Sequence, residues 1–244
     1  MAVISRFVTA VQSLTRLHIM NVEWNEEDYG RSSAYFTLVG MLIGTILWAV
    51  WATAGKHFPT EVVSALLIVA HLLITGGMHL DGFMDSMDGL FSGRSRERKL
   101  EIMKDSRVGA NGVMAVVVLL LYKYTLLLHL PQNALAVLVL MPAFGRWANV
   151  YVFRRFPYAR PDGLGKAMVK YTALTDVLFA LLVLTAASFW LLGIPGLVML
   201  GVLTLLVHLM ASRITATIGG TTGDIFGFLI EISEVIFLTM IYIV

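Results

Sequence analysis

Three aspartates, Asp81, Asp85 and Asp88, stand four and then three residues apart in GGMHLDGFMDSMDGLFSGR, residues 76–94. On a helix turning about 100° per residue they fall within roughly 60° of arc, so their carboxylates form one stripe. Three adjacent carboxylates repel one another, and a divalent cation that neutralises them resolves the conflict. Oxygen ligands of this kind suit Mg²⁺ or Mn²⁺, with phosphate oxygens completing the shell. The competing interpretation is a solvated helix end whose aspartates cap it or pair with Arg94 and Arg96. His79, two residues before Asp81, has the chemistry to move a proton or to ligate the metal. Gly76, Gly77, Gly82 and Gly89 carry no side chain and leave room for a bulky ligand or a neighbouring helix.

A second acidic group lies far away in GGTTGDIFGFLIEISEV, where Glu231 and Glu234 follow Asp224 at seven and ten residues on the same helical face. The two glutamates sit in an otherwise apolar run, where an ionisable side chain is costly and calls for a function or a partner. Two acidic stripes at one membrane face would hold two metals, or one metal and a general base. Alternatively, Glu231 and Glu234 pair with Arg146 or Lys123 across a helical bundle. Cations for a phosphate come from EIMKDSRVGANG, with Lys104, Asp105 and Arg107, from Arg146, and from YARPDGLGK, with Arg160, Asp162 and Lys166. Most other basic residues read as topological markers, and His71, His129 and His208 as hydrogen-bonded or interfacial side chains.

The elements that must position these groups are greasy. The 244 residues are 58% hydrophobic and 14% charged, with a mean hydropathy of +0.80, well below the roughly 25% charge of soluble domains. Hydropathy predicts an all-α, polytopic membrane bundle of seven spans, at about 35–55, 61–80, 109–129, 133–151, 173–192, 196–212 and 224–244. An N-terminal helix over residues 3–18 either lies in the membrane interface or packs at a tilt on the bundle. Pro59, Pro131 and Pro195 mark tight turns on one side, and the remaining connections are longer and basic. All of the 18 basic residues except Lys56, Lys123 and Arg146 then fall on one side, which places the N-terminus and the acidic stripes in the cytoplasm. There is no cysteine, so disulfides, thiolate metal sites and thiol catalysis are excluded. Residues 1–20 do not read as a signal peptide, because Arg6 and Arg16 interrupt them. A net charge of +2 implies no general affinity for nucleic acid. Residues 1–244 read as a single integral membrane catalytic domain.

Metal carboxylates beside cations at a membrane face suggest chemistry on a diphosphate. No Walker A or His-Glu-x-x-His pattern is present, which argues against an ATPase or a zinc protease. GGMHLDGFMDSMDGL, RKLEIMKDSRVGANG and TTGDIFGFLIEISE, in that order and spacing, resemble the adenosylcobinamide-GDP ribazoletransferase (cobalamin synthase) family, and YARPDGLGK fits a fourth block. The chain departs from that pattern at SLTRLHIM and at the bulkier Phe83, Met84 and Met87. The resemblance implies a transferase of the bacterial or archaeal cytoplasmic membrane. It would join adenosylcobinamide phosphate, from adenosylcobinamide-GDP, to α-ribazole or its 5′-phosphate, with Mg²⁺ required and GMP released. It further implies that Asp81, Asp85 and Asp88 hold Mg²⁺, that Asp224 is a ligand or the base, and that Lys104 and Arg107 bind phosphates. Glu231 is kept as a further candidate ligand, and a homo-oligomer is compatible with the sequence. CDP-alcohol phosphotransferases and prenyltransferases fit less well, since Asp-Gly-x-x-Ala-Arg and Asn-Asp-x-x-Asp-x-x-x-Asp are not matched. A cation transporter using Glu231 and Glu234 would leave the basic loops with no role beyond topology.

Overall fold

The computed structural model describes residues 2–131 and 133–243, and among the described residues there is no strand, only a single bridge between Tyr158 and Thr221. Helix α1 (Ala2–Leu14) leads to α2 (Glu26–Arg31), a 3-10 turn (Ser32–Tyr35) and α3 (Phe36–Ala54). Then come α4 (Thr60–Thr75), α5 (Met78–Leu90), α6 (Arg96–Ile102), α7 (Ala110–Leu128) and α8 (Ala134–Arg155). The chain closes with α9 (Leu164–Tyr171), α10 (Leu174–Leu192), α11 (Ile194–Ile218) and α12 (Gly223–Met240).

Among the described residues, five helical stretches are long and apolar enough to cross a membrane: residues 26–54, α7, α8, α10 and α11. α4 and α5 add a sixth only if taken as one bent span. α12 has 18 residues but carries Asp224, Glu231 and Glu234. The chain is a multi-pass, all-α membrane protein, and the seven expected spans resolve into these apolar crossings and one charged helix. Its outer surface bears Trp190, Leu73 and Leu182, exposed by 88%, 71% and 67%. Such side chains are costly in water and cost nothing against acyl chains.

α8 runs through the centre, buried over nearly its whole length. Pro142 sits inside it and has no N–H for the carbonyl of Leu138, four residues earlier. That carbonyl packs against Gly44 of α3, while Gly40 lies against the backbone of Pro142 and Ala143. Any Cβ at either glycine would strike backbone, so the Gly-x-x-x-Gly pair sets how closely α3 and α8 approach.

α1 is a packing helix that ends at Leu14. Its Val8, Ala10, Val11 and Leu14 are buried in the bundle, and Arg6 pairs with Asp28 at 2.6 Å. The second span also stops earlier than hydropathy suggests. Gly76 and Gly77 take φ of 66° and 70°, in the left-handed region that glycine adopts without steric cost. α5 therefore leaves α4 at 93° rather than continuing in its direction.

Deep in the bundle, Lys123 of α7 donates to Glu231 at 3.0 Å and to Glu234 at 2.6 Å, while Arg146 of α8 donates to Glu234 at 2.5 Å. All four side chains are buried, Arg146 and Glu234 completely. Glu231, a candidate metal ligand by sequence, is thus an ion-pair partner of Lys123. Arg146, a candidate phosphate ligand, is instead spent on Glu234.

The α3–α8 contact makes a specific demand. Gly44→Ala should lower the apparent melting temperature by several degrees, the effect of roughly 1–3 kcal/mol of overpacking. Gly201→Ala, whose new methyl meets nothing within 4 Å, should leave it unchanged or raised. Equal losses in a thermal scan of the two variants would contradict the packing assigned to Gly44.

Candidate active site

The site forms where α5 crosses the first turn of α12. A Cβ on Gly82 would lie 2.9 Å from the Asp224 carbonyl oxygen, and one on Gly227 would lie 2.8 Å from the His79 carbonyl oxygen. Only glycine on both helices allows this approach, and it brings Asp224 beside the aspartate stripe from which 143 to 136 residues of chain separate it. Asp81 is exposed, Asp85 half-buried and Asp88 buried.

Asp224 is held from two sides. Its Oδ2 accepts from Arg160 Nη2 at 2.7 Å and from Thr222 Oγ1 at 3.2 Å. Thr222 also caps α12, accepting from the Ile225 amide. Arg160 stands in the loop between α8 and α9, and backbone hydrogen bonds pin that loop to the α11–α12 turn. Ala159 donates to the Thr221 carbonyl and Thr221 to the Pro157 carbonyl, both at 2.8 Å. The two segments are thereby fixed in register, which sets the Arg160–Asp224 pair.

Charge crowding shows in Asp85. Burial first, then the charges of Asp81, Asp224 and Asp88, push its carboxyl up to about 7, with Arg160 opposing. Asp88 has a different task from the one its spacing suggests. Its carboxylate accepts from the amides of Gly109 at 2.7 Å and Gly112 at 2.8 Å, so it caps α7 from another helix. Neither metal binding nor a pair with Arg94 is needed to account for it. Among the described residues, no three His, Asp or Glu side chains are gathered closely enough to cage a metal by themselves. What the fold brings together is an open cluster of Asp81, Asp85 and Asp224 with Arg160.

Asp81 and Asp224 open on a cavity of about 260 Å³, which His79 also lines. His79 is buried, with Nδ1 3.5 Å from Arg146 Nη2; burial, and then the Arg146 charge, hold its imidazole well below the usual range. Through Arg146 it links the site to the buried charge network. Glu231 faces a separate small cavity with His71 and Lys123.

The remaining candidate cations lie on the segment before α7 and in the first turn of α9. Lys104 lies 3.8 Å from Asp162, which joins the segment before α7 to the Arg160 loop. Arg107 pairs with Asp105 at 2.6 Å in the open, and this partner holds the Asp105 carboxyl down at about 2. Lys166 donates to the Pro161 carbonyl at 2.6 Å and steadies the loop that carries Arg160. Asn149 and Tyr29, which residue type and spacing do not single out, also line the cavity. The available signal was a second polar residue, three after Arg146, in an otherwise apolar span.

A family model described as Cobalamin-5-phosphate synthase matches residues 6–242. An adenosylcobinamide-GDP ribazoletransferase from Desulfitobacterium hafniense (strain Y51) is 41% identical over 236 residues, covering 94% of this chain and 93% of the relative. One of the same name from Desulforamulus reducens is 40% identical over 238 residues, covering 95% and 94%. That from Acetivibrio thermocellus is 35% identical over 246 residues, covering 100% and 99%. No solved structure matches the chain.

The crowding at Asp85 has a signed test. In metal-free protein the infrared band of a protonated carboxyl should disappear with a midpoint near pH 7, and Asp85→Asn should remove it. Asp81→Asn or Asp224→Asn should move the midpoint down, and Arg160→Ala should move it up. Because the folded-state value exceeds the ordinary 3.8, the folded protein holds an extra proton between about pH 4 and 7, and metal-free stability falls as pH rises through that window. A midpoint near 4, unmoved by Asp81→Asn, would contradict the cluster.

Proposed function

The chain belongs to the cobalamin-5-phosphate synthase family, and we propose that it works as an adenosylcobinamide-GDP ribazoletransferase through the carboxylate cluster at the α5–α12 crossing. The observation that carries this reading is the meeting, at one cavity, of aspartates from two remote motifs, one of them paired with the arginine of a third.

In the proposed reaction a ribose hydroxyl of α-ribazole, or of its 5′-phosphate, attacks the phosphorus bonded to cobinamide. A new P–O bond forms, the phosphoanhydride bond breaks, GMP leaves with the bridging oxygen, and the hydroxyl proton passes to a base. Asp224 suits that base by geometry. Its Oδ2 is taken by Arg160 and Thr222, so Oδ1 is the atom left to accept the proton. Arg160, held on that carboxylate, has further N–H groups to donate to a phosphate oxygen, and Lys104 and Arg107 of the segment before α7 would add charge for the GDP end.

The donor set fits Mg²⁺. Carboxylate oxygens are the ligands a hard cation takes, and burial together with neighbouring carboxylates already disfavours the ionised form of Asp85. Asp81 and Asp85, with Asp224 adjoining, would hold the ion, and substrate oxygens and water would complete a shell that these residues leave open. When bound, Mg²⁺ supplies charge neutralisation at the diphosphate. Asp88 is outside this set, since its carboxylate is committed to α7. The basic loops support a cytoplasmic location for the N-terminus and the active-site face.

The reading is tested by GMP release from adenosylcobinamide-GDP and α-ribazole in inverted inner-membrane vesicles, which present the cytoplasmic face outward. Turnover should require no permeabilisation, stop on chelation and return with Mg²⁺. Asp81→Asn and Asp85→Asn should each lower kcat by about 100-fold or more, the scale of losing one electrostatic contact to the transition state. Undiminished turnover in both variants would remove the cluster from the chemistry.

A further inference from the structure

The cavity that contains Asp81 and Asp224 has a second wall of a different character. Phe36 of α3, Phe153 of α8 and Phe226 of α12 stand edge to face in a row. Their centroids are 5.8 Å apart at 78° for Phe36–Phe153 and 4.7 Å apart at 85° for Phe153–Phe226. All three line the cavity. Asn149 lines it too, four residues before Phe153 and so on the same face of α8. The Asn149 side chain is buried, at 3% exposure, and its Oδ1 has no hydrogen-bond partner. A buried amide oxygen without a partner is a standing cost, and an amide with such an end can turn to present its N–H to a ligand acceptor instead.

Resting on the transferase reading above, we propose that this aromatic wall receives the base of the nucleoside acceptor, with Asn149 as its polar contact. The base must be a fused aromatic ring with little hydrogen-bonding demand, the chemistry of a benzimidazole. Its two faces suit the phenylalanine rings, which reward stacked or edge-on neighbours. It has a single ring nitrogen with a free lone pair. The Asn149 amide meets that atom with N–H when its oxygen and nitrogen ends exchange by a flip. Guanine fits the wall poorly, because its N1–H, N2–H₂ and O6 need several partners and a phenylalanine wall supplies none. Placement also favours the acceptor. Phe226 and Asp224 line the cavity from the same first turn of α12, so a base against the ring carries its ribose toward the proposed proton acceptor. The GDP end of the other substrate is left to the basic loops outside this cavity.

The experiment is equilibrium binding of α-ribazole, followed by the base's own fluorescence, to the whole protein in nanodiscs, alongside steady-state kinetics. Asn149→Leu should weaken α-ribazole binding and raise its KM about 10-fold, the scale of one hydrogen bond in a buried site. The KM for adenosylcobinamide-GDP and the inhibition constant for GMP should not change. Phe153→Leu keeps the site apolar but removes a ring, and should weaken α-ribazole in the same selective way; it carries the test if Asn149→Leu fails to fold. Unchanged α-ribazole affinity in folded variants overturns the proposal. So does a selective loss of GMP affinity, which would give the wall to guanosine. Wild-type protein that binds α-ribazole through Asn149 yet releases no GMP would instead fault the transferase reading and leave the base site standing.

Discussion

Two cations and two carboxylates, buried among apolar helices, hold the rest of this structure in place. Lys123, Arg146, Glu231 and Glu234 come from α7, α8 and α12, and all four are buried. Any one left alone would be a charge in a medium that solvates it poorly, so each helix is tied to the others by its partner's need for neutralisation. The consequence reaches the site through α12. Two turns above Glu231 stands Asp224, and once the lower part of α12 is locked to α7 and α8, its first turn has a fixed place to meet α5. His79 on α5 touches the same network through Arg146. The order is therefore charge pairing first, helix placement second and carboxylate clustering third.

Membrane burial also explains why the site is assembled from short breaks in helices rather than from their middles. α5 turns away from α4 at a glycine pair, α7 begins under the Asp88 cap, and α12 begins under the Thr222 cap. At each break backbone groups lose their helical partners and must be satisfied by side chains. Asp88 and Thr222 do that work, which leaves Asp81, Asp85 and Asp224 with unspent oxygen atoms at a polar boundary. Repulsion among them is tolerated because Arg160 is held beside Asp224 by a register of backbone hydrogen bonds.

Much of this was legible from residue types and spacing. The i, i+4, i+7 aspartates do lie on one helix, and the two acidic motifs do meet. The pairing of Glu231 and Glu234 with Lys123 and Arg146 stood among the alternatives, because charges in an apolar run restrict one another's choices. Asp88 was hidden because its partners are backbone amides at Gly109 and Gly112, which leave no pattern of charge or period. The glycines at 76 and 77 were visible, but spacing does not distinguish a close approach from a 93° change of direction. Asn149 was overlooked since a single amide in a long span resembles ordinary core polarity until the cavity beside it is known. The Arg160–Asp224 pair depends on a loop register that hydropathy does not describe.

Asp81, Asp85 and Asp224, and not Asp88, should make one cation site on the diphosphate. This is tested most directly by electron paramagnetic resonance of Mn²⁺ bound to the purified protein with adenosylcobinamide-GDP present. The account requires tight Mn²⁺ binding in the wild type and in Asp88→Asn, and its loss in Asp81→Asn and Asp85→Asn, with Asp224→Asn weakened. Binding that vanishes in Asp88→Asn and survives in Asp81→Asn would contradict it.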